Sequence, residues 1–324
     1  MSEVIALRPL RVLFVDDEAR ITRALRALFR DFEAHVTNDP ADAPRIASER
    51  DIDVVVCDQR MPGITGVDCL REIRQLAPRA MRILLTGFSD LKAVLGSVNE
   101  GEVFRFVSKP WDNRELREIV TTAGRIARET PALAADVLSA SEHEQARDQV
   151  GVLVIDDDTT TQQRLREFLQ PHYHVRFAGN AERALQILEQ HETGVVICAT
   201  ELGHGDAGAN SDLTGMVKVL KHYHPCIVTI VVTDRANSQT AIDLINEGQV
   251  YRMLLKPIRM GPTRLSVDSA IARYWQLKRA PSAVRRFSVM PRADNVVSLA
   301  SVSDTILARI RQLPSRIAHI ARLG

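Results

Sequence analysis

The sequence predicts two α/β units in tandem, each a doubly wound, five-stranded parallel sheet, followed by a helical tail. Three observations carry that expectation. Short apolar runs alternate with helix-period segments through most of the chain. The whole pattern then recurs about 140 residues later. Polar residues with chemical potential stand just after the apolar runs, where open parallel sheets gather function.

In the first unit, residues 12–15, 54–57 and 83–86 are four-residue apolar runs suited to buried parallel strands. Ile21, Leu25, Leu28, Phe29 and Phe32 lie at i, i+4, i+7, i+8 and i+11, one apolar face of a helix. Asp39-Pro40 reads as a cap followed by proline at the first helical position. A helix over about 90–100 is expected to end at Gly101, where a C-terminal glycine belongs. Leu116, Ile119, Val120, Ala123 and Ile126 stripe the last helix, with Asp112 and Glu115 spaced as its start.

The repeat is explicit. Residues 12–17 (Val-Leu-Phe-Val-Asp-Asp) return as 152–157 (Val-Leu-Val-Ile-Asp-Asp), an offset of 140. Asn99-Glu100-Gly101, Val103, Arg105 and Lys109-Pro110 return as Asn246-Glu247-Gly248, Val250, Arg252 and Lys256-Pro257, an offset of 147. Residues 54–57 return at 195–198, so six extra residues fall after the third strand of the second copy. The Gly-rich stretch 203–210 is the loop that takes them. The expected organisation is 1–124, a linker at 125–150, a second unit at 151–280, and a tail at 281–324. That linker either continues the last helix after Pro131 or forms a helix of its own.

Composition excludes more than it names. Lys+Arg 42 against Asp+Glu 41 leaves a net charge of +1, so binding nucleic acid across the whole surface is not expected. No apolar run approaches the roughly 18 residues a membrane span needs. Arg8 and Arg11 interrupt the apolar stretch near the N-terminus, so no secretory signal is read there. Cys57, Cys69, Cys198 and Cys226 have no CxxC spacing, which fits a reducing cytoplasm.

The residues after the first unit's strands make a coherent set. Asp16 and Asp17 follow the first strand, Asp58 the third, Thr86 the fourth and Lys109 the fifth. Three carboxylates converging on one crevice repel unless a cation holds them, and a hard divalent ion such as Mg²⁺ suits an all-oxygen set. Lys109 and the Thr86 hydroxyl suit phosphoryl oxygens. One carboxylate is then placed to act as nucleophile and become an aspartyl-phosphate.

This constellation resembles the receiver domain of bacterial two-component response regulators, a flavodoxin-like (βα)5 fold, in two copies. The first copy carries the motifs at Asp16-Asp17, Asp58-Gln59-Arg60-Met61-Pro62 with Gly66, Thr86-Gly87 and Lys109-Pro110. The resemblance implies that Asp58 is the phosphoacceptor and that Asp17, Asp58 and the Arg60 carbonyl ligate Mg²⁺, with Asp16 acting mostly through water. It assigns Thr86 and Lys109 to the phosphoryl group and Phe106 to an aromatic switch. The stretch Phe104-Arg105-Phe106-Val107-Ser108-Lys109-Pro110-Trp111 also looks like receivers often linked to HD-GYP phosphodiesterases, with no such output read here. The implied partners are a histidine kinase or phosphotransfer protein, a downstream effector protein, and a second copy in a homodimer. No enzymatic activity beyond the receiver's own phosphoryl chemistry is implied. A constitutive scaffold, and DNA binding through the tail, stand as alternative outputs.

The second copy departs from the pattern. Asp156, Asp157, Thr233 and Lys256 are retained, but Ala199 stands where Asp58 stands in the first. Met253 replaces the aromatic, and Glu201-Leu202 replaces Met-Pro. Glu201, Asp206 and Asp212 are loop carboxylates without the rigid placement that in-line transfer needs. A degenerate receiver that binds or orients something is the expectation. His172/His174 and His222/His224, near Cys226, lie under different strands and are read as ordinary histidines rather than one zinc site. His143 is read as a solvated linker histidine.

The tail carries seven Arg and two Asp. Val302, Ile306, Ile310, Leu313, Ile317 and Ile320 recur at helical steps, with Arg309, Arg311, Arg316 and Arg322 on other faces and Pro314 as a break. Its expected roles are a helix docked on its own receivers, a partner-docking helix, or a contact with anionic membrane or nucleic acid.

Overall fold

A computed structural model describes residues 8–87, 103–130, 140–199, 213–233, 246, 250–287 and 304–313. The chain forms two compact units, Met1–Ala134 and Ala135–Gly324. Each holds a five-stranded parallel sheet.

In the first unit the strands are β1 (Arg11–Val15), β2 (Glu33–Thr37), β3 (Val54–Asp58), β4 (Met81–Thr86) and β5 (Arg105–Ser108), in the order β2-β1-β3-β4-β5. The helices are α1 (Ala19–Leu28), α2 (Ala43–Glu49), α3 (Gly66–Leu76) and α4 (Asn113–Glu129). Val54 to Asp58 are buried throughout, as a central parallel strand with helices on both faces must be. One face packs Val12, Phe14, Val54, Val56, Ile83 and Leu85 against Leu25 of α1, Phe29 just past its C-terminus, and Leu116 and Val120 of α4. The Phe14 and Phe29 rings meet at 5.1 Å.

Asp112 caps α4 as its position predicts, its carboxylate accepting from the N–H groups of Arg114 and Glu115. The start of α2 is a correction. Asp39 accepts from Ala41 N–H at 2.9 Å and closes a turn, and the helix begins only at Ala43, with Pro44 in its first turn. An Asx turn satisfies the same acceptor within two residues, so the Asp-Pro pair does not itself open the helix. The helix predicted at 90–100 and the loop at 203–210 lie outside the described residues.

The second unit opens with α5 (Ala140–Gln149), a helix separate from α4. Then come β6 (Gly151–Ile155), α6 (Thr159–Leu169), β7 (His174–Ala178), α7 (Ala181–Gln190), β8 (Thr193–Ala199), α8 (Leu213–Tyr223), β9 (Val228–Thr233), β10 (Arg252–Leu255) and α9 (Met260–Arg279). Its sheet runs β7-β6-β8-β9-β10, the same order as the first. A 3-10 turn (Pro281–Phe287) and α10 (Asp304–Gln312) follow. The predicted fold class holds in both units, and the described parts of the tail are helical. No described helix is long and apolar enough to cross a membrane.

Candidate functional site

Parallel pairing brings all the strand C-termini of the first unit to one edge. Val15 lies beside Cys57, Asp58 beside Leu85, and Thr86 beside Ser108. The residues that immediately follow, or end, those strands therefore share one crevice. Carboxylate oxygens of Asp16, Asp17 and Asp58 lie within 4.8 Å of one another, the one such acidic, His or Cys group among the described residues. Asp16 and Asp58 are buried and Asp17 is exposed.

Lys109 ties this set together. Its ammonium lies 2.7 Å from Asp58 Oδ1 and 3.0 Å from Asp16 Oδ2. It is held in place by its own backbone, whose N–H donates to the Thr86 carbonyl at 2.9 Å. Asp16 is fixed by the Glu18 N–H on Oδ1 at 2.9 Å, and its carbonyl accepts from the Asn38 amide at 2.6 Å. Asp58 Oδ2 accepts from the Arg60 N–H at 3.0 Å. Thr86 is fully buried at the end of β4, with its hydroxyl donating to the Gly87 carbonyl at 3.3 Å. Phe106 is buried in β5 opposite Leu84.

The electrostatics follow from burial. Loss of water raises the Asp16 carboxyl above its ordinary range, against the Glu18 N–H and Lys109, which favour its anion. Burial pulls the Lys109 ammonium down, but Asp58 and Asp16 outweigh it, and its pKa stands above the ordinary value. The cation is therefore permanent at neutral pH. Beneath the site, burial first and the neighbouring Cys69 thiol second push Cys57 far up, so Cys57 is a packing group and not a nucleophile. All candidate ligands are hard oxygens, which fits a divalent cation such as Mg²⁺ and not a thiophilic metal.

The second unit repeats the frame without the centre. Ala199 pairs with Val232 as Asp58 pairs with Leu85, and Lys256 N–H donates to the Thr233 carbonyl at 2.8 Å. Both Lys-Pro peptides, Lys109-Pro110 and Lys256-Pro257, are cis. Asp156 is buried and Asp157 exposed, again as in the first unit. The Lys256 ammonium stands 3.5 Å from Asp156 Oδ2 and 3.5 Å from Asp158 Oδ2. Burial raises the Asp156 carboxyl. Met253 occupies the buried position of Phe106, opposite Val231.

Two features escaped sequence reasoning. The Arg60 N–H donates to Asp58, a contact separate from the Mg²⁺ ligation that the resemblance assigned to the Arg60 carbonyl. Asp158 takes part of the Lys256 ion pair that Asp58 takes in the first unit, and the third acid in Asp156-Asp157-Asp158 was its visible signal. The histidine pairs lie under β7 and β9, with β6 and β8 between them, and they form no metal group among the described residues.

A family model described as the response regulator receiver domain matches residues 12–121 and 152–267. The chain belongs to that family. Both matched receiver segments coincide with the two sheets. The chain is 36% identical over 113 residues to the hydrogenase transcriptional regulatory protein HoxA of Cupriavidus necator, a match covering 35% of this chain and 23% of that protein. It is 35% identical over 115 residues to the regulatory protein AtoC of Escherichia coli, covering 35% of this chain and 25% of AtoC. The chain thus spans about a quarter of the length of these curated relatives. Among solved structures it is similar to the signal receiver domain of an HD domain-containing protein from Pseudomonas fluorescens. That likeness has 32% identity and a TM-score of 0.38, and covers 40% of this chain and 96% of that one.

Proposed function

We propose that this receiver protein is a phosphorelay response regulator in which Asp58 alone accepts the phosphoryl group. The observation that carries the reading is the Lys109 ammonium set between Asp16 and Asp58 inside a three-carboxylate cluster. A donor histidine on a kinase or phosphotransfer protein presents its phosphoryl group in line with an Asp58 oxygen. A P–O bond to Asp58 forms as the P–N bond breaks, and the departing imidazole takes up a proton.

Asp16, Asp17, Asp58 and the Arg60 carbonyl are the residues to hold Mg²⁺, which when bound neutralises charge on the transferring group. Lys109 supplies a fixed cation for a phosphoryl oxygen, and Thr86 a hydroxyl donor once its bond to Gly87 is exchanged. Movement of Thr86 is then transmitted to Phe106, biasing a two-state equilibrium of the adjacent face. The protein acts in the cytoplasm as a signalling partner, with no activity of its own beyond this phosphoryl chemistry. Its output is a protein contact rather than DNA, a reading supported by α10, whose Arg309 and Arg311 are engaged within the second unit.

The test is intact mass after incubation with Mg²⁺ and a small phosphodonor such as acetyl phosphate. One added phosphoryl group is expected, absent in Asp58→Asn. Mass that persists in Asp58→Asn overturns the assignment. Partner capture that is indifferent to Asp58→Asn would establish a constitutive scaffold instead.

A further inference from the structure

The two units differ in what fills the face between the helices that follow their second and third strands. In the first, α2 and α3 pack directly on each other, and the Cys69 thiol of α3 reaches the Pro40 carbonyl at 3.6 Å. In the second, α7 and α8 do not pack together in that way among the described residues. Instead α10 lies against both.

Three kinds of contact seat it. Ile310 is wholly buried and Leu313 nearly so, an apolar edge with i, i+3 spacing. Arg309 forks onto Glu189 at 2.7 and 3.0 Å and reaches Glu182 at 2.6 Å. Those glutamates stand seven residues apart, two turns along one face of α7. Near the end of the helix, His224 Nε2–H donates at 2.7 Å to the Ile310 carbonyl, which also accepts the Leu313 N–H at 3.3 Å. Arg311 Nε donates to the Tyr223 hydroxyl at 2.7 Å, with the guanidinium 5.2 Å from the ring centroid.

We infer that the second unit is a helix-binding module, whose groove between α7 and α8 takes a basic amphipathic helix, and that residues 304–313 of the same chain are its resident ligand. Charge complementarity identifies the occupant: two glutamates converge on one arginine, beside the buried Ile310 and Leu313. The ion pairs are partly solvent-exposed, with side chains of Arg309, Glu182 and Glu189 at 24%, 61% and 38%, so salt screens them and weakens the docking. Helix binding needs no phosphoryl group, consistent with Ala199 at the unit's acceptor position.

The test uses the full chain. Arg309→Glu is expected to raise amide hydrogen exchange across α10, α7 and α8, and to leave α1–α4 unchanged. Combining it with Glu182→Arg and Glu189→Arg is expected to restore protection. A fluorescent peptide of residues 304–313 should bind the Arg309→Glu chain at least tenfold more tightly than the wild type, whose groove is filled, and less tightly at higher salt. Exchange that is unmoved by Arg309→Glu, or a peptide that binds both chains alike or neither, overturns the proposal. A wild-type dimer dispersed by the peptide overturns the assignment of the occupant to the same chain.

Discussion

Gly66 lies against the carbonyl of Asp58 so closely that a Cβ on Gly66 would stand 2.1 Å from that oxygen. Its N–H donates to the Gln59 carbonyl at 3.0 Å, so the first residue of α3 is bound to the residue after the acceptor. Gly66→Ala must therefore drive helix and strand apart. An overpacked site of this kind costs about 1–3 kcal/mol, and the opposing atom here is backbone, so the upper end is expected. Denaturant unfolding should show that loss, and the rate of phosphorylation by a small donor should fall with it. Unchanged stability would mean that α3 slides on β3 without cost.

Lys109 is the charge that makes two buried carboxylates tolerable. Lys109→Met leaves Asp16 and Asp58 without their cation, and breaking a buried pair costs about 2–4 kcal/mol once partial exposure of the lysine is allowed for. A divalent cation can then take over the neutralising role. The variant should be destabilised in chelator and should recover more stability than the wild type on adding Mg²⁺, with a lower Mg²⁺ midpoint. Thermal melts across a Mg²⁺ series decide it. Equal recovery in both proteins would show that the lysine and the metal site act independently.

Much of the first site was legible because parallel strands end on one side. Once residues 12–15, 54–57 and 83–86 are read as strands, Asp16, Asp17, Asp58 and Thr86 must meet, whatever the helices do. The start of α2 was not legible, because an aspartate oxygen can close a turn or cap a helix, and Asp39 here closes the turn that precedes α2. Nor was the seat of α10. Its stripe of Ile310 and Leu313 shows in the sequence, but Glu182 and Glu189 lie more than 100 residues away and carry no local mark. Periodicity reports that a helix has an apolar face and is silent on which surface receives it.

Tyr173 gives the second unit a pH signature away from its strand ends. Its hydroxyl donates to Asp268 Oδ1 at 2.7 Å, beside Arg147 Nε on the same oxygen at 2.9 Å. Burial, and then that bond, push the phenol from 10.0 up to about 12. A raised pKa in the folded state stabilises the fold below the free phenol's range. The contribution is then lost as pH climbs from 10.0 toward about 12. Tyr173→Phe should cost about 1–2 kcal/mol at neutral pH, as a hydrogen bond to a charged acceptor does. The gap between variant and wild type should close across that alkaline window. Denaturant midpoints at neutral and alkaline pH measure it, and a gap independent of pH would assign the loss to packing alone.

Ala199 occupies an acceptor position whose surroundings are still built. Its strand register against Val232 copies that of Asp58 against Leu85; Thr233 ends β9 and Lys256 follows β10 as Thr86 ends β4 and Lys109 follows β5. Ala199→Asp therefore restores a third carboxylate beside Asp156, which burial already disfavours as an anion. Lys256 divides itself between Asp156 and Asp158 at 3.5 Å each and is a weaker counter-charge than Lys109. The variant should lose about 2–4 kcal/mol in chelator. A cation at 100 times its dissociation constant should return about 2.7 kcal/mol. In an Asp58→Asn background, Ala199→Asp should then accept one phosphoryl group from acetyl phosphate and Mg²⁺, more slowly than Asp58 does in the wild type. Asp58→Asn alone serves as the blank. If the double variant binds Mg²⁺ yet gains no phosphoryl mass, the retained Thr233 and Lys256 are insufficient. The placement of Lys109 between Asp16 and Asp58 would then be the element the second unit has lost.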